Sequence, residues 1–194
     1  MFENIKIYIV HYKKLVDRKK NLLNYFSEFP FPHEFFDKID RDALTLEQKI
    51  KFTDKKDDTY KANFLTHIEC YREILSNDHN FHLILEDDSI PQNSFSKLYR
   101  KYLRQLPEDF DMFFISPGKN NFHLPLYKRR PFKTVYRKYN KLTSWGGHGA
   151  SRCADAYFIS RKCCEKLITE FDNKELWKNP HQNRLNTKTL VKKL

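Results

Sequence analysis

Three consecutive carboxylates, Glu86, Asp87 and Asp88, follow directly on the apolar run Leu83-Ile84-Leu85. Neighbouring acids repel one another, and an apolar strand behind them raises the cost unless solvent or a cation offsets it. Mg2+ and Mn2+ prefer oxygen ligands and commonly complete their shell with substrate phosphates. In an extended segment residues i and i+2 face the same way. Glu86 and Asp88 are therefore the expected metal pair, with Asp87 facing elsewhere. The competing reading is a solvated turn capping the next helix, for which Ser89, Pro91 and Ser94 are suited. The triplet alone leaves both readings open.

Residues 5–10 read as a buried first strand. Residues 17–29 carry Leu22, Phe26 and Phe29 at helical spacing, and Pro30 and Pro32 end that helix. A second strand is expected over 33–39, then a polar loop over 41–61 with one helical turn at most. Residues 62–75 predict a helix with Phe64, Ile68, Tyr71 and Leu75 on one face. Residues 81–85 form the strand that delivers the triplet. A helix over 95–106 is expected to bury Phe95, Leu98, Tyr102 and Leu106. Strands follow over 112–115 and 156–159, and Ser160 caps a last helix that aligns Cys163, Leu167 and Phe171. Strands alternating with helices predict an α/β domain with a mostly parallel central sheet flanked by helices, a single domain over 1–194. Ligands bind such sheets at the carboxyl ends of strands, where the triplet lies. Residues 118–149 read as a basic loop, and residues 180–194 as a tail without an assigned element.

Lys and Arg number 36 against 25 Asp and Glu, a net charge of +11, which favours an anionic partner without choosing one. Only four glycines occur, which argues against a Gly-rich phosphate loop. Cys70, Cys153, Cys163 and Cys164 contain no Cys-x-x-Cys pair, so free buried thiols in a reducing compartment are expected rather than a zinc site. No signal peptide or membrane-length apolar stretch is visible, which predicts a cytoplasmic protein whose membrane contact, if any, is peripheral and electrostatic. The stretch 128–141 interleaves Lys and Arg with Phe132, Tyr136 and Tyr139, a pattern that suits single strands, anionic glycans or a phospholipid surface, or simply a solvated loop. No nucleic-acid motif accompanies it, and no nucleic-acid partner is expected.

Several segments in order resemble glycosyltransferase family 25, which includes lipopolysaccharide glycosyltransferases and collagen galactosyltransferases. They are Ile7-Tyr8-Ile9-Val10-His11-Tyr12 with Asp17-Arg18, Phe35-Phe36-Asp37-Lys38-Ile39-Asp40, Phe64-Leu65-Thr66-His67, the Leu-Glu-Asp-Asp run ending at Asp88, and Ala156-Tyr157-Phe158-Ile159-Ser160-Arg161. The resemblance implies a nucleotide-sugar-binding domain of the GT-A type and a divalent cation, Mn2+ or Mg2+. It also implies inverting transfer of galactose or glucose from a UDP-sugar to a hydroxyl on a glycan, a lipopolysaccharide or a collagen-like protein. It implies that Glu86, Asp87 and Asp88 bind the cation and diphosphate, that Val10, His11 and Tyr12 line the nucleotide pocket, and that Arg18 and His67 approach the diphosphate or sugar. Asp40 and Thr66 join the donor-binding set from their matched blocks.

By residue type, His11 and Tyr12 at a strand end suit stacking on a base or ordinary packing. His67 is read at a helix N-terminus, where backbone N–H groups favour phosphate. Trp145, beside Gly146 and Gly147, and His181 are the acceptor candidates. Asp87, His148 and Asp155 are the candidates for the base. The chain departs from the family pattern at Asp40-Arg41, at Ala62-Asn63, and at Gln182, where an acid is expected. Gln182 motivates the alternative of a nucleotide-sugar or carbohydrate-binding module without turnover.

Overall fold

The computed structural model describes residues 4–52, 57–92, 94–115, 130–131, 133–137, 154–173 and 189–192. In chain order the strands are β1 (Ile5–Val10), β2 (His33–Phe36), β3 (Phe81–Glu86), β4 (Met112–Phe114), β5 (Val135–Arg137), β6 (Ala156–Ile159) and β7 (Thr189–Lys192). The helices are α1 (Val16–Phe26), α2 (Leu46–Ile50), α3 (Asp58–Leu75), α4 (Phe95–Leu103) and α5 (Arg161–Asn173), with a 3-10 turn at Arg41–Ala43.

Among the described residues seven strands join one sheet in the order β2-β1-β3-β6-β4-β7-β5. β2, β1 and β3 run parallel, β6 runs against both β3 and β4, β7 is parallel to β4, and β5 opposes β7. Five strands therefore share one direction, and β6 and β5 oppose it. This is the mostly parallel, helix-flanked sheet that the alternating pattern predicts.

The two-residue alternation of the strands splits the core in two. Tyr8, Val10, Ile84, Tyr157 and Ile159 face α3 and α5, joined there by Ile68, Ile74, Cys163 and Cys164. Ile7, Ile9, Leu83, Leu85 and Phe158 face the opposite way, covered by Leu22 and Phe26 of α1 and Tyr99 and Leu103 of α4. The buried thiols Cys70, Cys163 and Cys164 are free.

The boundaries follow local chemistry. α3 starts at Asp58, four residues earlier than the apolar pattern predicts, because the Asp57 side chain accepts from the Tyr60 N–H at 2.8 Å. Thr45 and Gln48 form a reciprocal capping box that starts α2 inside the stretch expected to be loop. Ser160 does cap α5, accepting from the Cys163 N–H at 3.1 Å. The Arg161 guanidinium reaches back to the end of α3 and donates to the carbonyls of Ile74 and Asn77 at 2.6 Å each, and to that of Leu75. One cation thus satisfies carbonyls that the helix end leaves open.

Three expectations are corrected. The second strand stops at Phe36, because the chain turns there into the Asp40-capped 3-10 turn. α4 ends at Leu103 and buries Tyr99 and Leu103, while Leu98 stands exposed: the aromatic stripe begins at Phe95 and advances by four. Residues 118–149 are not all loop, since they contain β5, which pairs with β7 in the tail.

Candidate active site

The sheet register sets the site. Val10, the last residue of β1, pairs with Glu86, the last of β3, so His11 and Asp87 continue side by side beyond the sheet edge. A turn begins there, closed by the Ser89 N–H on the Glu86 carbonyl at 2.9 Å. The extended alternation therefore stops at Glu86, yet the acids still diverge. Glu86 faces α3, and Asp87 turns toward α1.

Asp87 is buried and doubly held. Its Oδ2 lies 2.8 Å from His11 Nδ1 and its Oδ1 accepts from Arg18 of α1 at 2.5 Å. The His11 side chain is fully buried, with its ring edge-on to Phe35 at 5.6 Å. His11 lines the cleft, and strand parity turns its imidazole toward Asp87, which it orients. Both oxygens of Asp87 are thus engaged by neighbouring side chains.

Glu86 Oε1 accepts from Asn63 Nδ2 at 2.9 Å and faces His67 Nε2 at 3.6 Å, beyond hydrogen-bond length. The His67 imidazole holds the Glu86 carboxyl below its ordinary range; burial opposes this and Asn63 assists it. His67 is itself fixed from behind. Its Nδ1 lies 2.7 Å from the Tyr157 hydroxyl, which lies 2.8 Å from the Tyr71 hydroxyl. His67 is not at a helix N-terminus. It lies in the middle of α3, 7% exposed, so its chemistry is that of an imidazole behind a carboxylate, not of helix-end N–H groups.

Asp88 is pushed the other way. Burial, then the charges of Glu86 and Asp87, raise its carboxyl above the ordinary value. A nearby cation would offset both causes.

These acids line a cleft of about 200 Å3. Val10, His11, Tyr12, Leu15 and Arg18 line it from β1, α1 and the turn between them, Thr59, Asn63 and Thr66 from α3, and Ile39 and Arg41 from the segment after β2. Arg41 lies over the Tyr12 ring, 4.2 Å from its centroid, and the Tyr12 hydroxyl donates to Asp42 at 2.7 Å. One face of Tyr12 is thus already covered.

Val10, His11, Tyr12, Arg18, Thr66, Glu86, Asp87 and Asp88 are gathered in this cleft. Asp40 is not: it caps the 3-10 turn through the Asp42 N–H at 3.0 Å and pairs with Lys13 at 2.8 Å. Asp155 is adjacent, its carbonyl accepting from the Glu86 N–H at 2.8 Å. Trp145, His148, His181 and Gln182 lie outside the described residues. Sequence reasoning missed Arg41, Asn63 and Thr59 as lining residues. Two of them were visible as departures from the family pattern, at Asp40-Arg41 and Ala62-Asn63.

A divalent cation fits the donor set in part. Among the described residues no three His, Cys, Asp or Glu side chains form a ready ligand cluster. Asp88 and the second oxygen of Glu86 are not engaged by another side chain of the cleft, and a cation there would draw its remaining ligands from phosphate and water.

A cleft lined by both carboxylates and guanidinium groups suits a phosphorylated ligand held with help from a metal. Residues 4–180 match the model of glycosyltransferase family 25 (LPS biosynthesis protein). The chain belongs to glycosyltransferase family 25, and is accordingly a glycosyltransferase that moves a sugar from a nucleotide-sugar donor, releasing the nucleotide, to a glycan acceptor. A solved glycosyltransferase involved in the glycosylation of the major capsid of PBCV-1 is similar in structure at 13% identity, covering 89% of this chain and 69% of that chain with a TM-score of 0.45. No curated protein matches the chain significantly. Among the described residues, no helix is long and apolar enough to cross a membrane.

Proposed function

We propose that the chain is a GT-A-type, inverting, cation-dependent hexosyltransferase that takes galactose or glucose from a UDP-sugar. The observation that supports this most is the shared cleft, lined by three acids of one turn and by Arg18 and Arg41. Asp88 and Glu86 hold Mn2+ or Mg2+. When bound, the ion neutralises the diphosphate leaving group as a Lewis acid. Arg18, tied to Asp87, presents the rest of its guanidinium to phosphate, a planar donor suited to that geometry. Tyr12, backed by Arg41, offers its remaining face to the base. His67 and Asn63 keep Glu86 ionised and pointed into the cleft.

The acceptor hydroxyl must lose a proton as it attacks the anomeric carbon from the side opposite the leaving phosphate. Asp155 is the candidate base within the described residues, one backbone hydrogen bond away from Glu86. The acceptor class is a glycan or lipopolysaccharide hydroxyl. Thermal-shift screening of UDP-sugars with Mn2+ tests the donor: one specific stabilisation is expected. Stabilisation without turnover on any glycan acceptor supports the binding-module reading motivated by Gln182.

A further inference from the structure

The positive charge of the chain is unevenly offset. Near the cleft and along the first half of the sheet, cations are paired: Lys6 with Glu34, Lys13 with Asp40, Lys19 with Asp37, Lys49 with Asp58. α4 is different. Phe95, Tyr99 and Leu103 make its inner stripe, and Lys97, Arg100, Lys101 and Arg104 follow one another on the outer side at helical spacing of three and four, all exposed. The helix contains no acidic residue. Lys97, Lys101 and Arg104 make no ion pair or hydrogen bond through their side chains with a described residue. Like charges at these spacings weaken a helix. The stripe therefore opposes the stability of the element that carries it.

The stripe is extended by a second segment. Gln105, just beyond α4, accepts from the Thr134 hydroxyl at 3.0 Å, which fixes the chain before β5 against the end of the helix. Tyr136 ties Arg130 to the same segment, accepting from its N–H at 2.9 Å. Lys133 and Arg137 are exposed there. Helix and strand together form an outward basic face on the side of the sheet away from α3 and α5. A face built on the outside of a helix and an edge strand suits an extended anionic surface, whereas a small anion needs a concave site.

We infer that this α4–β5 face is a docking surface for an anionic phospholipid bilayer, independent of the sugar-transfer chemistry. Each basic residue near such a surface strengthens partitioning by about fivefold. The contact is electrostatic and falls with ionic strength.

The test is co-sedimentation of the full chain with vesicles of phosphatidylcholine alone or mixed with phosphatidylglycerol, at low and high salt. The native chain is expected on the mixed vesicles at low salt only. The combined variant Lys97→Gln, Lys101→Gln, Arg104→Gln is expected to bind about a hundredfold more weakly. Its melting temperature is expected to equal or exceed that of the native chain, because helix repulsion is relieved. Equal binding to both vesicle types, or undiminished binding of the variant, overturns the inference. So does salt-sensitive capture of a soluble anionic polysaccharide or of single-stranded DNA without binding to vesicles. Sugar transfer to a soluble acceptor is read separately: its absence with vesicle binding intact faults the proposed activity and leaves the surface standing.

Discussion

The His11 imidazole and the Asp87 carboxylate meet at 2.8 Å in the lining of the cleft, because β1 and β3 end in register at Val10 and Glu86. The pair ties the acidic turn to the neighbouring strand. Replacing His11 with Ala removes one anchor of a buried anion and leaves a void beside Phe35. A loss of about 2–3 kcal/mol is expected in chemical denaturation. Donor affinity is expected to fall further than stability alone explains, because Asp87 no longer fixes Arg18. His11→Ala with native donor affinity would contradict the positioning role.

Tyr157 links His67 to Tyr71 in a chain of buried polar groups behind Glu86. Tyr157→Phe keeps the ring in the core and deletes the hydroxyl that both partners use. About 1–3 kcal/mol of stability should go, measured by urea titration. Turnover per folded molecule should drop as well, since the His67 ring loses its orientation. Unchanged turnover in the folded variant would limit Tyr157 to a core role.

Arg161 answers a different question. It lies in the matched Ile-Ser-Arg block, yet it donates to the carbonyls that end α3 and does not line the cleft. Arg161→Ala is expected to lower stability by about 1–2 kcal/mol. Its effect on the activity of the remaining folded protein is expected to be small. A thermal melt and a specific-activity measurement on the same sample separate the two.

His82 sets a limit on acid tolerance. It is 1% exposed and burial drives its pKa down from 6.5 to about 4, helped by the nearby positive groups His79, Arg161 and Lys6. The folded state keeps it neutral while the unfolded state protonates it below its ordinary value. Stability from this group is therefore whole above pH 6.5 and is lost as pH falls toward 4, by about 3 kcal/mol over the interval. Denaturation series across that range, native against His82→Leu, should show a shallower acid slope in the variant.

Much of this arrangement is legible in the sequence. The periodicities of β1, α1, β3, β6 and α5 locate both faces of the core, and the acidic run after β3 locates the site. What is not legible has nonlocal causes. β5 is three residues long, and its assignment depends on pairing with β7 more than fifty residues later. His11 has the sequence position of a ligand-stacking residue, and only strand parity together with the register of β3 shows that its ring turns toward Asp87. His67 looks like a helix start because its family-like block begins at Phe64, while the true start is set by Asp57. Arg41 lines the cleft because the Asp40-capped turn swings it over Tyr12, and no local pattern announces that.

The central claim is that the turn Glu86-Asp87-Asp88 supports cation-assisted use of a nucleotide sugar. Hydrolysis of UDP-galactose and UDP-glucose, followed with Mn2+, with chelator, and in Asp88→Asn, tests it most directly. The expected result is turnover that falls at least about a hundredfold on chelation, returns when Mn2+ is restored, and is lost in Asp88→Asn. Turnover that ignores the chelator, or that survives in Asp88→Asn, would contradict it.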